Sequence, residues 1–376
     1  MLMDISSEMI HALLPVYLVS VMAASTTLVG VIEGVAESTA AITKVFSGAL
    51  SDWLGRRKLL AVVGYGLAAL SKPMFPLAST IGALTAARFV DRVGKGIRGA
   101  PRDALVADLA PASARGASFG LRQALDTVGA CAGPALAMLC MWLGGGRYRL
   151  VFWIAVLPAF LSLALISIAV REPARTAPQR KARFPLHRAE LARLGAQYWF
   201  VVVVAVVFSL ARFSEAFLVL RAQAAGLPIA LVPAAMVIMN LVYAASAYPA
   251  GAWADAGGRY RVLAAGLAVL VLADLILALV PGIGGALGGA ALWGLHLACT
   301  QGLLAALVAD TAPEPLRGTA FGVFNLLTGA ALLFASIGAG RLWDTAGPRG
   351  TFLAGGALAA LALAGLLALP RRLRGR

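Results

Sequence analysis

The sequence predicts an all-α membrane protein with twelve transmembrane helices in two pseudo-symmetric six-helix bundles. The first reason is composition, because 60% of the residues are hydrophobic and only 13% are charged, which leaves more apolar surface than one soluble core could bury. A spanning helix needs roughly 20 mainly apolar residues to cross about 30 Å of hydrocarbon, where backbone groups must bond within the protein. The second reason is an internal repeat, and the third is the alternating charge of the loops.

Twelve apolar runs of suitable length follow one another along the chain. They are residues 2–22, 28–50, 59–78, 80–98, 118–143, 150–170, 198–220, 229–250, 261–280, 285–309, 320–341 and 350–370. Most of the 32 lysines and arginines fall in every second loop and in the C-terminal tail, and Lys95 is grouped with them at a helix end. Basic loops stay on the cytoplasmic side, so both termini are predicted to be cytoplasmic. The net charge of +15 therefore reflects topology and does not indicate a nucleic-acid partner.

The chain repeats itself about halfway along. The stretch GALSDWLGRR from Gly48 returns as GAWADAGGRY from Gly251, and ALVADLAPASARGASFG from Ala104 returns as ALVADTAPEPLRGTAFG from Ala306. A basic stretch with three prolines lies between the two copies and has the composition of a linker. The predicted domains are an N-terminal bundle at 1–170, a cytoplasmic linker at 171–197 and a C-terminal bundle at 198–376.

The stretch GALSDWLGRRK, residues 48–58, resembles a family signature. The major facilitator superfamily carries G-x-L-x-D-x-x-G-R-R-K between its second and third helices, and helix count, half-repeat and central linker agree with that family. DRVGKGIRGAPRDALVAD resembles a bacterial branch whose substrate is unassigned. The resemblance implies a secondary active transporter that works by alternating access in the bacterial inner membrane. We expect a monomer whose partners are a small-molecule substrate and the lipid bilayer, with no nucleic acid.

Asp52 is the residue of this loop that topology does not explain. The resemblance implies that its carboxylate bonds to a helix start in the other half and to a nearby arginine, which holds the cytoplasmic side shut. Helix N-termini favour an anion by up to about 1 kcal/mol. The alternative is a simple turn with inside-positive charges. The predicted gating residues are Gly48, Asp52, Gly55, Arg56, Arg115, Asp255 and Arg259.

Charged residues inside the spans indicate transport, because each costs roughly 2.5 kcal/mol or more at mid-bilayer unless it faces protein or water. Acid–arginine pairs that change separation between two conformations can load and release protons. Static ion pairs that hold helices in register are the alternative. The proton-coupling candidates are Glu8, Glu33, Glu37, Asp91, Asp126 and Glu215, and their candidate partners are Arg88, Arg122 and Arg212.

Spacing predicts how some of these charges are arranged. Arg88 and Arg212 each have a carboxylate three residues on, at Asp91 and Glu215, which is one helical turn and the same face. Two charged residues fall on helices that should not line the central cavity. For these, Lys72 and Asp274, we expect local pairing or a place at the lipid interface.

The fifth span carries the stretch GACAGPALA, which resembles the antiporter motif of the superfamily. Its helix-bend residues are Gly129, Gly133 and Pro134. Glycines next to a proline let a helix bend and let a neighbouring helix approach closely. The glycines that the motif has after Gly-Pro are replaced here by alanines. The motif favours antiport.

The second half contributes few fixed charges to the predicted cavity, which favours a small, partly apolar substrate. The sequence thus predicts proton-coupled efflux, with protons as the coupling ion and neither a metal nor another cofactor. A proton-coupled symporter or exchanger of an organic anion is the alternative, since arginines of both halves could bind an anion. Spacing typical of nucleophile–base pairs or metal ligands does not occur among the three histidines and three cysteines, so we expect no enzyme. The substrate-cavity candidates are Asn240, Tyr243, Trp293, His296 and Gln301.

Overall fold

The computed structural model of the chain describes residues 1–54, 56–111, 115–170, 191, 193–313 and 316–368. Within these ranges the regular elements are helices. They are α1 (Leu2–His11), α2 (Leu14–Ser20), α3 (Thr26–Leu54), α4 (Arg57–Ser71), α5 (Met74–Leu77), α6 (Ile81–Leu109), α7 (Arg115–Leu143), α8 (Tyr148–Ala169), α9 (Ala196–Ala211), α10 (Ala216–Ala224), α11 (Ala234–Trp253), α12 (Arg259–Leu279), α13 (Gly282–Thr311) and α14 (Arg317–Ala368). A short 3₁₀ turn at Ile229–Leu231 and a π turn at Ala254–Gly258 join three of them.

Nine helical stretches of the described residues are long and apolar enough to cross a membrane. Two further helices, α3 and α6, have 29 residues each but carry several charged side chains. The longest stretch, α14, contains the last two predicted runs and breaks at Gly347, which has a φ of 70° and precedes Pro348. The all-α membrane fold is therefore confirmed, and the count of twelve crossings remains a prediction that fits it.

Three of the predicted spans are interrupted. The first divides between α1 and α2, and the third divides at Lys72 and Pro73, where a proline cannot donate a helical hydrogen bond. The seventh divides between α9 and α10. There the backbone N–H of Ser214 donates to Ser336 Oγ at 3.1 Å, and the Ser214 hydroxyl accepts from the backbone of Ala216 at 3.3 Å. These bonds satisfy backbone groups that the interruption removes from the helix.

The described residues form two compact units. The first consists of Met1–Leu14 and Val35–Pro185. In it α4 packs on α6 and α8, while α1 packs on α7 and α8. The second consists of Pro15–Gly34 and Leu186–Arg376, and its α12 packs on both α13 and α14. The predicted domain boundaries follow the sequence repeat and remain predictions.

The segment Pro15–Gly34 packs on α14 within the second unit. Asp344 caps the start of α3, because its carboxylate accepts from the backbone N–H groups of Thr26 and Thr27 at 3.0 and 2.8 Å and from both hydroxyls. Backbones meet closely here: a Cβ built on Gly30 would lie 2.1 Å from the Ser336 carbonyl oxygen. Small residues at such crossings allow tight helix packing without a hydrophobic driving force.

Candidate functional site

A buried ion pair between α4 and α6 lies in the interior of the first unit. Lys72 donates to Asp91 at 2.7 Å and to the Ser7 hydroxyl at 3.0 Å, and both charged side chains are at most 2% exposed. Arg88, the partner predicted for Asp91 from spacing, is farther away, at 4.0 Å. Spacing along one helix therefore predicted that Asp91 is paired but did not predict its nearest cation. That cation is Lys72, which directly follows the neighbouring helix α4. Lys72 is paired locally and does not lie at the lipid interface.

Four charged residues, Arg88, Asp91, Arg92 and Lys95, form one stripe along α6. The two arginines of this stripe bind groups on α1 and α3. Arg88 donates to His11 Nδ1 at 2.6 Å, so that this nitrogen acts as an acceptor. Arg92 forms an ion pair with Glu37 at 3.1 Å. Arg92 itself is 2% exposed, whereas Glu37 is 31% exposed, so solvent can reach the acid of this pair. Asp91 is therefore in a sealed pair, whereas Glu37, which pairs with the next residue of α6, is partly exposed.

A second charge cluster joins α6, α7 and the chain start. Arg102 donates to both oxygens of Asp126, at 3.4 and 3.2 Å, in a bidentate arrangement. Arg122, one turn before Asp126, lies 3.6 Å from it and also bonds to Asp103. The predicted partner Arg122 is thus in place, and Arg102 is the shorter contact. Asp126 is 22% exposed, which gives a second solvent-accessible carboxylate held by arginine.

The glycines of the helix-bend motif lie where α7 meets α1. A Cβ built on Gly133 would come within 2.6 Å of Glu8 Cβ and 2.9 Å of the Ile5 carbonyl oxygen. The equivalent atom on Gly129 would lie 3.0 Å from Asp4 Cβ. The motif therefore brings the predicted coupling residue Glu8, which is half-buried, against the helix that carries Asp126.

Two lysines of the first unit, Lys95 and Lys44, belong to helices and have exposed side chains. Lys95 lies halfway along α6, so the sequence assignment to a helix end is wrong: the helix continues to Leu109 because Pro101 does not end it. Lys44 lies on α3, and its methylene groups would be 3.5 Å from a Cβ on Gly99. Both lysines are exposed.

Each unit carries an equivalent ion pair near the signature loop. Arg57 bonds to Asp108 at 2.6 Å in the first unit, and Arg259 pairs with Asp310 in the second. Both members of the second pair stand 202 positions after those of the first. Arg57, rather than the predicted Arg56, is therefore the counterpart of Arg259 by contact.

The remaining gating candidates are only partly described. Arg56 is exposed and precedes the first residue of α4, Gly48 packs against Ala100, and Asp255 is exposed on the π turn. The predicted latch itself depends on residues that lie outside the described part. These are the side chains of Asp52 and Arg115 and the whole of Gly55. The gating role of the loop stays a prediction.

The predicted pair on the seventh span does not share a helical face. The helix ends at Ala211 and the next begins at Ala216, so Arg212 and Glu215 both lie at the interruption. A spacing of three residues places side chains on one face only in a continuous helix. The one-turn geometry inferred for this pair is therefore wrong.

Asp274 on α12 was expected in a local pair or at the lipid interface, and neither expectation holds. Its side chain is fully buried, and among the described residues neither carboxylate oxygen has a hydrogen-bond partner. A Cβ built on Gly355 would lie 2.8 Å from Asp274 Oδ2 and 2.8 Å from the ring of Phe213. The acid is thus enclosed by apolar and glycine surfaces of the second unit.

The aromatic cavity candidates form part of the second unit's interior. Trp293 and His296 are fully buried; His296 stacks on Phe208 with ring centroids 5.1 Å apart, and its Nδ1 lies 2.8 Å from the Gly266 carbonyl oxygen. Of the other three cavity candidates, Asn240 is buried, Tyr243 is partly buried and Gln301 is exposed. Glu33, a coupling candidate on α3, is fully buried.

Several polar residues of these networks were missed as site residues by the sequence analysis. The sequence indicated only some of them as charged positions: Lys72 is a charge inside a predicted span, and Arg102 falls in a predicted loop. Pairing across helices could not be found from spacing within one helix. The missed residues are His11, Lys44, Lys72, Arg92, Lys95, Arg102 and Asp103.

Comparison with known proteins agrees with this architecture. The model of the Major Facilitator Superfamily matches residues 1–241 and 216–376. An uncharacterized MFS-type transporter of Methanocaldococcus jannaschii is 33% identical, over 97% of this chain and 91% of its own length. Among solved structures, the nucleoside transporter NupG has a TM-score of 0.81 at 12% identity, covering 98% of this chain and 96% of that chain. The peptide transporter POT has a TM-score of 0.79 at 15% identity, covering 100% and 93%.

Long apolar helices with ion pairs buried between them define the class of protein, an integral membrane transporter and not an enzyme. The family match along the whole chain and the relative at 33% identity make the assignment specific. This chain belongs to the Major Facilitator Superfamily. The resemblance carried by the signature at residues 48–58 is thereby confirmed.

Proposed function

We propose that the protein is a proton-coupled exporter that exchanges protons for a small, partly apolar organic compound by alternating access. It acts as a monomer in the bacterial inner membrane, with both termini cytoplasmic. The observation that carries the proposal is the graded exposure of the carboxylates that pair with cations of the first unit. Glu37 is bound to Arg92 at 3.1 Å and is 31% exposed, while the neighbouring Asp91 is sealed at 2%.

Graded exposure suits a carboxylate that loads and releases protons. A proton bound by Glu37 removes the charge that attracts Arg92, so protonation weakens the ion pair, and loss of the proton restores it. A ligand or proton shifts a conformational equilibrium only by its differential affinity for the two states. An ion pair that differs between two states supplies such a difference. Asp126, held by Arg102 and 22% exposed, offers the same chemistry.

The packing of α7 on α1 supports exchange as the mode of coupling. Gly133 allows α1 to approach so closely that Glu8 Cβ would contact any added side-chain atom. Asp126 is two turns earlier on the same helix. Movement at this crossing would therefore change the surroundings of both carboxylates at once.

Proton-coupled symport or exchange of an organic anion is the second candidate. The cations of the α6 stripe favour it, because three cations, Arg88, Arg92 and Lys95, share that stripe with a single acid, Asp91. An anion that enters beside them would complete the balance of charge.

Direction of transport distinguishes the two candidates. Right-side-out and inverted membrane vesicles that contain the protein would receive an imposed proton gradient, with ethidium and anilinonaphthalene sulfonate as fluorescent compounds. An exporter accumulates at least one compound in inverted vesicles with an acidic interior. Accumulation confined to right-side-out vesicles with an acidic exterior would overturn export and favour the symporter.

A further inference from the structure

We propose that Lys95 and Lys44 form a binding subsite for an anionic group, so that the transported compound carries a carboxylate, sulfonate or phosphate. This inference rests on the proposed function and names the substrate class of the same protein. It assigns a role to two cations that the proton-coupling network does not use.

The two lysines lie on neighbouring helices that meet closely. A Cβ built on Gly96 would lie 2.5 Å from Thr43 Cβ, and Ser47 donates its hydroxyl to the Gly96 carbonyl at 2.9 Å. The stem of Lys44 lies over Gly99, which is one turn after Lys95. Lys95 and the residue beneath the Lys44 stem therefore lie on one face of α6, about one helical turn apart.

The positions of Lys95 and Lys44 along their helices make the exposure of their side chains informative about which face is polar. Lys95 lies halfway along the 29 residues of α6, and Lys44 lies in the second half of α3. A cation within a spanning helix is costly against lipid, so its side chain faces protein or a water-filled path. Because both lysine side chains are exposed and not buried in protein, we take their face of the α3–α6 pair to be the polar one.

The buried cations nearby are engaged by protein groups, and the exposed ones are not. Lys72 holds Asp91, Arg88 holds His11, and Arg92 holds Glu37. Across the described residues, neither Lys44 nor Lys95 has its ammonium group in an ion pair within 4.0 Å or in a hydrogen bond.

The acids that act on Lys95 electrostatically are Glu37 and Glu8. Glu37 is already shared with Arg92, so part of its charge is neutralised. The exposed surface of this face thus has a surplus of positive charge. A lysine ammonium is a compact, strongly hydrated charge with three donors, well suited to a carboxylate, sulfonate or phosphate oxygen.

Binding can be measured without a proton gradient or a known substrate. The full-length protein in detergent micelles would be titrated with naphthalenesulfonate, its neutral analogue naphthalenesulfonamide and the cation naphthylmethylammonium, with thermal unfolding as the readout. A ligand that binds only the folded state stabilises it by RT ln(1 + [L]/Kd), so the unfolding temperature rises with ligand concentration. We expect naphthalenesulfonate alone to stabilise the wild type.

Substitution at Lys95 identifies the subsite. Lys95→Gln should weaken naphthalenesulfonate binding roughly tenfold, the loss of about one charged hydrogen bond. Lys95→Arg should retain most of the binding because it keeps the charge. Arg149→Gln, which removes an exposed cation of the first unit at the start of α8, is the matched control and should bind like the wild type.

Three results would overturn the subsite. They are equal stabilisation by the sulfonamide, unchanged sulfonate binding in both Lys95→Gln and Lys44→Gln, and no stabilisation by any of the three compounds. A protein that binds the sulfonate through Lys95 but shows no gradient-driven flux would instead refute the proton coupling and leave the subsite in place.

Discussion

Three carboxylates of the first unit, those of Asp91, Glu37 and Asp126, differ in exposure although each is bound by a cation. Asp91 is sealed between Lys72 and the α6 arginines, while Glu37 and Asp126 reach solvent. A sealed ion pair costs much to desolvate and is strongly destabilising to break. A solvent-accessible pair can exchange protons with water. The same chemical pairing is thus sealed at one position and accessible at two others, and the proposed proton exchange belongs to the accessible pairs.

Loss of the Asp91 carboxylate should destabilise the protein. Asp91→Asn leaves Lys72 as a buried cation without its counter-charge, and breaking a buried pair in this way costs about 3–5 kcal/mol. Thermal unfolding in detergent measures the effect. Asp255→Asn, at an exposed aspartate of the π turn, is the control and should unfold like the wild type. Equal unfolding temperatures for the two variants would mean that the Lys72–Asp91 pair contributes little.

Neutral substitutions at the exposed carboxylates should uncouple transport. Glu37→Gln and Asp126→Asn keep the size of the side chain and its hydrogen-bonding capacity but cannot exchange a proton. We expect gradient-driven accumulation of anilinonaphthalene sulfonate in vesicles to be lost, while naphthalenesulfonate binding changes less than threefold, about 0.65 kcal/mol. Uphill accumulation in both variants would move proton coupling to Glu8 or Glu215, or exclude it.

At the level of helices, the described glycines of α7 that a side chain could not replace, Gly129 and Gly133, lie where it crosses α1. Gly133→Ala adds a methyl group 2.6 Å from Glu8 Cβ and should destabilise by about 1–3 kcal/mol through overpacking. Gly120→Ala changes the same helix at a position with nothing within 4 Å. It should be neutral or slightly stabilising, because alanine favours the helix. Thermal unfolding compares the two, and an equal effect would contradict a role for the close crossing.

The sequence predicted helices well and their interruptions poorly. Apolar runs locate spans because lipid imposes a length and an internal backbone bonding pattern. The break after Ala211 could not be seen, since it depends on Ser336, far along the chain. The Lys72–Asp91 pair was missed for the same reason, because periodicity relates residues of one helix only. Asp274 shows most plainly what the sequence could not predict. Its burial depends on contact with glycines of another helix, which leaves no signature in the sequence around Asp274.

Across the whole molecule, the sequence repeat is matched by contacts in both units. The pairs Arg57–Asp108 and Arg259–Asp310 join the same elements of each half, the start of one helix and the end of the next. By contrast, the capping of α3 by Asp344 has no repeated counterpart among the contacts of the described residues. It ties a segment early in the chain to α14.

We predict that the contact between Pro15–Gly34 and α14 opens in the proposed transport cycle, because this segment connects the two parts of the first unit, Met1–Leu14 and Val35–Pro185. A protein with Thr27→Cys and Asp344→Cys, and with serine at the three native cysteines, should form a disulfide on oxidation. The bond should stop anilinonaphthalene sulfonate flux, and a reductant should restore it. Each single cysteine variant under the same oxidation is the control. Unchanged flux in the fully cross-linked protein would show that this contact stays closed during transport.

Proton-coupled exchange is tested most directly in proteoliposomes that contain the purified protein, internal anilinonaphthalene sulfonate and a trapped pH indicator. An acidic exterior should accelerate efflux and acidify the interior at the same time, and Glu37→Gln should abolish both responses. A protonophore should abolish the acceleration of efflux, because it dissipates the proton gradient without the transporter. Efflux at one rate with and without the proton gradient, and no acidification of the interior, would contradict proton-coupled export.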